Sequence, residues 1–172
     1  MRLAALMGRD PLQIEEVYGG RRKERIAGLC RLYPALLGPE ELLQHFDDLR
    51  ELEIIFSTWG MLPLGPAELD RLPSLKIVLY GASSVKQFAG PFLDRDIVVV
   101  SAWSTNAIPV AEFVLAQILL AAKGYFRNLK HRSLRKGSPD GAPRAVYRGN
   151  FGETVALLGA GGALPGRTGG VG

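Results

Sequence analysis

Cysteine and histidine are nearly missing from this sequence: Cys30 is the only cysteine, and His45 and His131 are the only histidines, in 172 residues. One cysteine excludes an intrachain disulfide and any zinc site built on paired thiolates. It fits a reducing cytosol, and we expect a cytoplasmic protein. Neither histidine has a sequence neighbour suited to base catalysis, so both read as structural or exposed. Long apolar runs are missing too. The longest, residues 107–122, contains Glu112 and Gln117. It falls short of the roughly 20 residues that a membrane span needs, so no membrane partner is expected. The opening MRLAALMGRD is too short a run for a secretory signal. No repeat of solenoid period is present.

Apolar residues make up 47% of the chain, enough for a packed core, which argues against global disorder. The formal net charge is +4. Much of it lies in one stretch: Lys123, Arg127, Lys130, Arg132, Arg135, Lys136, Arg144 and Arg148, against Asp140 alone. No aromatic ladder accompanies these cations, so the stretch reads as a solvated loop and no nucleic-acid partner is expected.

Short apolar runs alternate with helical patterns along the chain. Strands are expected at residues 2–7, 53–59, 75–80, 97–100 and 154–158. The IVVV run at 97–100 is rich in the β-branched residues that strands favour. Helices are expected at 12–29 (weakened by Gly19 and Gly20), 40–49, 66–72, 84–93 and 106–129. Pro66 suits a first helical turn. Asn106 can cap the longest helix, which is apolar on so many sides that burial is expected. Residues 130–150 form a Gly/Pro/basic connector. Alternating βα units imply a mostly parallel sheet with right-handed crossovers. The expected fold is therefore α/β: a flavodoxin-like or Rossmann-like domain over residues 1–101. Residues 102–172 would supply an interdomain helix and an incomplete second Rossmann domain, with residues 162–172 a disordered tail.

In parallel sheets ligands bind beyond the carboxyl ends of strands. That rule points to the loops after Trp59, after Tyr80 and after Val100. In the second, Gly81-Ala82-Ser83-Ser84-Val85, small residues allow close approach to the backbone. A helix starting there would offer free N–H groups to a carboxylate, although a plain turn with serine as cap fits the same residues. Asn106 can both donate to and accept from a small oxo acid, or simply cap its helix. Trp59 and Gly60 end a strand and could wall a pocket or merely pack. At 159–161, Gly-Ala-Gly opens a dinucleotide fingerprint: Gly159 for the tight turn, Gly161 to clear the pyrophosphate. The third glycine should fall at Leu164, and Pro165 follows where a helix should run.

Four pieces in order are similar to the D-isomer-specific 2-hydroxy-acid dehydrogenases: EIIFSTWGM, LPSLKIVLYGASSV, IVVVSAWSTNAIPVAEFVLAQILLAAK and GNFGETVALLGAG. They span roughly the last two thirds of the chain. NAIPVAEF resembles the family's Asn-x-x-x-Val-Ala-Glu signature. The resemblance implies an NAD- or NADP-dependent oxidoreductase acting on a small 2-oxo or 2-hydroxy acid, with a homodimeric parent. It assigns Ser83, Ser84 and Val85 to the carboxylate-holding loop, with Ser83 where the family commonly has glycine. It assigns Asn106 to the substrate, Trp59 and Gly60 to side-chain preference, and Gly159 and Gly161 to the cofactor. The family's catalytic arginine, glutamate and histidine have no counterpart up to Gly172. We expect an inactive fragment whose Gly/Pro tail past Gly161 reflects a frameshift or truncation. A non-catalytic module that binds a small carboxylate is the second reading.

Overall fold

The structure is a computed structural model that describes residues 1–134, 147 and 149–158. It divides into two compact units, Met1–Trp103 and Ser104–Gly172.

The first unit is a five-stranded, all-parallel sheet. In chain order come β1 (Leu3–Leu6), α1 (Pro11–Tyr18), α2 (Arg21–Leu29), β2 (Arg31–Leu32), α3 (Pro39–His45) and a 3-10 turn (Phe46–Leu49). Then follow β3 (Leu52–Ser57), α4 (Pro66–Asp70), β4 (Ile77–Tyr80), α5 (Gly90–Leu93) and β5 (Val98–Ser101). The strand order is β2-β1-β3-β4-β5, the flavodoxin-like winding, so the expected α/β class holds. The winding reverses between β1 and β3, which places the topological switch point there.

One face of the sheet carries most of the core. Ala5, Ile55 and Val78 are in register across β1, β3 and β4, and all three are fully buried. Leu42, Phe46, Leu49, Leu69, Leu72, Phe88 and Phe92 pack in the same cluster. Apolar residues at helical spacing on α3 and the 3-10 turn supply this cover. On β5, Val98 and Val100 alternate with Val99 and stay exposed, while Val99 packs against the core.

Local chemistry decides several boundaries. The helix expected at 12–29 is broken in two, because Gly20 adopts φ 57° between α1 and α2. Asp10 caps α1, its Oδ1 accepting from the Leu12 N–H at 2.9 Å. The helix expected at 84–93 is only α5. Residues 81–85 are bends and irregular backbone, residues 86–88 form a turn, and the helix begins at Gly90 with Pro91 in its opening turn. Ser84 is therefore not a helix cap.

The second unit holds most of α6 (Trp103–Ala122), together with α7 (Tyr125–Leu134). The single helix expected at 106–129 is interrupted at Gly124, whose φ is 69°. A side chain on Gly124 would also run into the ring of Tyr147. Asn106 lies within α6, past its first residue Trp103, so it does not cap the helix. The expected burial of this helix is not found: none of its residues is buried. It is apolar on several sides, with Phe113, Leu115 and Leu119 exposed. By length and composition α6 could cross a membrane, a test that core helices of soluble proteins also pass. Residues 154–158, expected as a strand, pair with none of the described strands, and Val155, Leu157 and Leu158 are exposed. A β-prone run forms a ladder only when a neighbouring strand meets its N–H and C=O groups. Gly159, Gly161 and the tail at 162–172 lie outside the described residues.

Candidate acid-binding site at the carboxyl edge of the sheet

The carboxyl ends of β1, β3, β4 and β5 lie along one edge of the first unit. The ladder carries on past β1: the Met7 N–H donates to the Phe56 carbonyl at 2.9 Å. Two residues later the Arg9 N–H donates to the Gly60 carbonyl, also at 2.9 Å. These bonds join the loops after β1 and β3 at the switch point. Gly60 has φ 82°, which favours glycine, and Arg9 Cβ lies 3.5 Å from where its Cβ would stand. The turn leaves Trp59 about half exposed (49%) at this edge, so its indole is free to wall a ligand.

The loop after β4 is tied down at each end. The Gly81 N–H donates to the Ser57 carbonyl at 2.7 Å. The Ala82 carbonyl accepts from the Ala102 N–H beyond β5 at 3.0 Å. The Val85 carbonyl accepts from the N–H groups of Phe88 and Ala89 at 3.2 and 2.9 Å. Between these ties, the N–H groups of Ser83, Ser84 and Val85 make no hydrogen bond among the described residues. Such N–H groups can donate to water or to an anion. The donors belong to irregular loop backbone and not to a helix N-terminus, because α5 starts only at Gly90.

Two cationic residues lie on the loops that leave this edge. Arg9 and Lys86 form no ion pair among the described residues. Asp10, the nearest carboxylate in sequence to Arg9, is engaged as the α1 cap.

Beneath the edge sits Tyr18, the last residue of α1. Its hydroxyl donates to the Ser57 carbonyl at 2.6 Å and approaches the Leu79 carbonyl at 3.2 Å. Burial pushes its pKa up to about 12, partly offset by the Gly81 N–H that points at the oxygen. Beside it the Thr58 hydroxyl is fully buried with no hydrogen-bond partner among the described residues.

The structure thus brings Trp59, Ser83, Ser84 and Val85 to one edge of one sheet. Asn106 belongs to the second unit and is half-buried on α6. His45 lies elsewhere: α3 carries the chain back toward the start of β3, the opposite edge. There its Nδ1 is 3.4 Å from Asp48 Oδ2, and its ring packs edge-on against Tyr33. Sequence reasoning missed Arg9 and Tyr18. Arg9 follows the first strand, but only the strand order reveals that this loop flanks the switch point. The partners of Tyr18 are 39 and 61 residues away in sequence, with no local signal to expose them.

The dinucleotide site has no counterpart among the described residues. A pyrophosphate cradle needs a paired strand leading into a glycine turn and a helix, and residues 154–158 are unpaired. Gly159 and Gly161, which the resemblance assigns to the cofactor, lie outside the described residues.

A search of protein-family models finds no match, and no curated protein matches the chain. Among solved structures, the chain is similar to the crystal structure of a phosphoglycerate oxidoreductase from Rhizobium etli. The TM-score is 0.55 and the identity 20%, over 77% of this chain. The likeness establishes a shared α/β Rossmann-like fold. The match spans 40% of the neighbour's length.

Proposed function

We propose that the first unit binds a small 2-oxo or 2-hydroxy acid, with its carboxylate on the N–H groups of Ser83, Ser84 and Val85. The observation that carries this reading is the set of unused backbone donors on a loop tied at both ends, at the carboxyl edge of a 2-1-3-4-5 sheet. Arg9 and Lys86 add positive potential, and Trp59 limits the size of the acid's side chain. Charge-assisted hydrogen bonds to a carboxylate are the strong kind.

For the whole protein we propose an NAD- or NADP-linked oxidoreductase that interconverts a D-2-hydroxy acid and a 2-oxo acid, acting in the cytoplasm as a homodimer. The sequence resemblance supports this reaction class, and the shared fold agrees with it. On the same ground Asn106 is a second substrate-binding residue, and Gly159 and Gly161 belong to the cofactor. The described residues supply recognition of the acid. That this chain binds the acid without turnover is what the resemblance leads us to expect.

Titration calorimetry with pyruvate and glyoxylate, with and without NADH, tests the proposal. Saturable acid binding without NADH oxidation is the expected result. It also leaves room for a carboxylate-binding module that has no dehydrogenase parent. Absence of binding to either acid would refute the site, and steady NADH oxidation would refute the expected inactivity.

A further inference from the structure

We propose that Tyr18 is a positioning residue for the acid-binding loop: its hydroxyl fastens the carboxyl ends of β3 and β4 together and sets the backbone that presents Ser83, Ser84 and Val85. The proposal rests on the acid-binding reading above. It begins with an unusual use of a tyrosine. Oη lies 2.6 Å from the Ser57 carbonyl and 3.2 Å from the Leu79 carbonyl, so one hydroxyl bridges neighbouring strands where their ladder ends. The Ser57 carbonyl also accepts from the Gly81 N–H at 2.7 Å, so tyrosine, β3 and the first residue of the loop share one acceptor.

The ring is held as firmly as the hydroxyl. It meets Phe56 edge-on, with centroids 5.8 Å apart and planes at 71°. The Asp10 cap at one end of α1 and the Gly20 break after the other fix the length of the helix that delivers it. Space is fitted as well: a Cβ on Gly81 would stand 3.0 Å from Tyr18 Oη. Gly81 therefore accommodates the hydroxyl, and the hydroxyl limits where Gly81 can go. Two residues further along begin the free N–H groups. A shift of Gly81 by a few tenths of an ångström would redirect those donors, and charge-assisted bonds weaken quickly with misalignment.

The test replaces Tyr18 by phenylalanine in the full chain, with Leu49→Val as a control. Leu49 is fully buried in the 3-10 turn at the opposite edge, so its loss costs stability without touching the loop. Pyruvate affinity should fall about tenfold in Tyr18→Phe, the effect of losing one good hydrogen bond's worth of alignment. It should stay within about twofold of wild type in Leu49→Val. Amide hydrogen exchange should accelerate at Gly81 in Tyr18→Phe while Val78, deep in β4, keeps its protection. Unchanged affinity together with unchanged Gly81 exchange overturns the proposal. So does an equal loss of affinity in the control, which would reduce the effect to general stability. Should wild type fail to bind pyruvate, the acid-binding reading falls by itself. Gly81 exchange then decides the strap: faster exchange in Tyr18→Phe upholds it, and unchanged exchange removes it.

Discussion

Gly81→Ala asks whether the loop base is as closely fitted as the distances say. A Cβ there would lie 3.0 Å from Tyr18 Oη, 3.0 Å from Val17 Cγ1 and 3.4 Å from the Ser57 carbonyl oxygen. Two effects oppose each other. Removing a glycine restricts the unfolded chain and stabilises by about 0.4–1 kcal/mol when the native backbone accepts alanine. Crowding a packed site costs about 1–3 kcal/mol. The hydroxyl cannot yield cheaply, because it is bonded to Ser57 at 2.6 Å. Crowding should win, with a net loss of about 1–2 kcal/mol. That is a sizeable part of the roughly 5–15 kcal/mol that holds a domain of this size. Urea denaturation followed by circular dichroism measures it, with an unchanged slope showing that the unfolded state is unaffected. Repeating the substitution in the Tyr18→Phe background removes one of the two closest contacts. The penalty should then shrink by about 0.5 kcal/mol or more, a coupling typical of residues in contact. A Gly81→Ala protein as stable as wild type, or strict additivity with Tyr18→Phe, would refute the reasoning.

Three further outcomes follow from the same geometry. Thr58→Val removes a buried hydroxyl that has no partner among the described residues; it should raise stability by about 1 kcal/mol, read as a higher urea midpoint, and a lower midpoint would mean the hydroxyl is satisfied in solution. Phe92→Ala empties a fully buried position that packs edge-on against Phe88; a loss of about 3–5 kcal/mol is expected by the same assay, and a loss below about 1 kcal/mol would show that this core is loosely packed. Tyr18 has a folded pKa of about 12, above the 10.0 of an ordinary tyrosine. A raised folded pKa means its contribution is complete below the unfolded value and is lost as pH climbs from 10.0 through about 12. Melting temperatures across that window should therefore fall more steeply for wild type than for Tyr18→Phe, and parallel curves would contradict the burial of the hydroxyl.

Much of the fold was legible because strand signals and parallel topology share a cause. β3, β4 and β5 are runs of apolar and β-branched residues bounded by Gly, Pro or polar turns, and each falls within two residues of where its sequence places it. Gly19 and Gly20 read only as a weak point in one helix over 12–29, where the structure has a break between α1 and α2. β2 was invisible because two residues on a sheet edge carry no periodicity. Residues 154–158 misled for the converse reason: their composition favours a strand, but a strand exists only where another backbone meets it. The helix expected from Ser84 failed because serine caps helices and also fills turns, and Pro91 set the real start. At the site, Trp59 and the Ser83, Ser84 and Val85 loop were legible as strand-end loops. Tyr18 and Arg9 were not, because their importance comes from strand order and from contacts far apart in the chain.

The central claim is that three consecutive backbone amides grip a carboxylate, and two-dimensional amide NMR of the isotopically labelled chain tests it most directly. On titration with pyruvate, the Ser83, Ser84 and Val85 resonances should move together toward saturation, joined by the Trp59 indole N–H. Resonances of the opposite edge, such as Glu53 and Lys76, should stay still. Saturating shifts confined to other residues, or no shift in those three amides, would contradict the account.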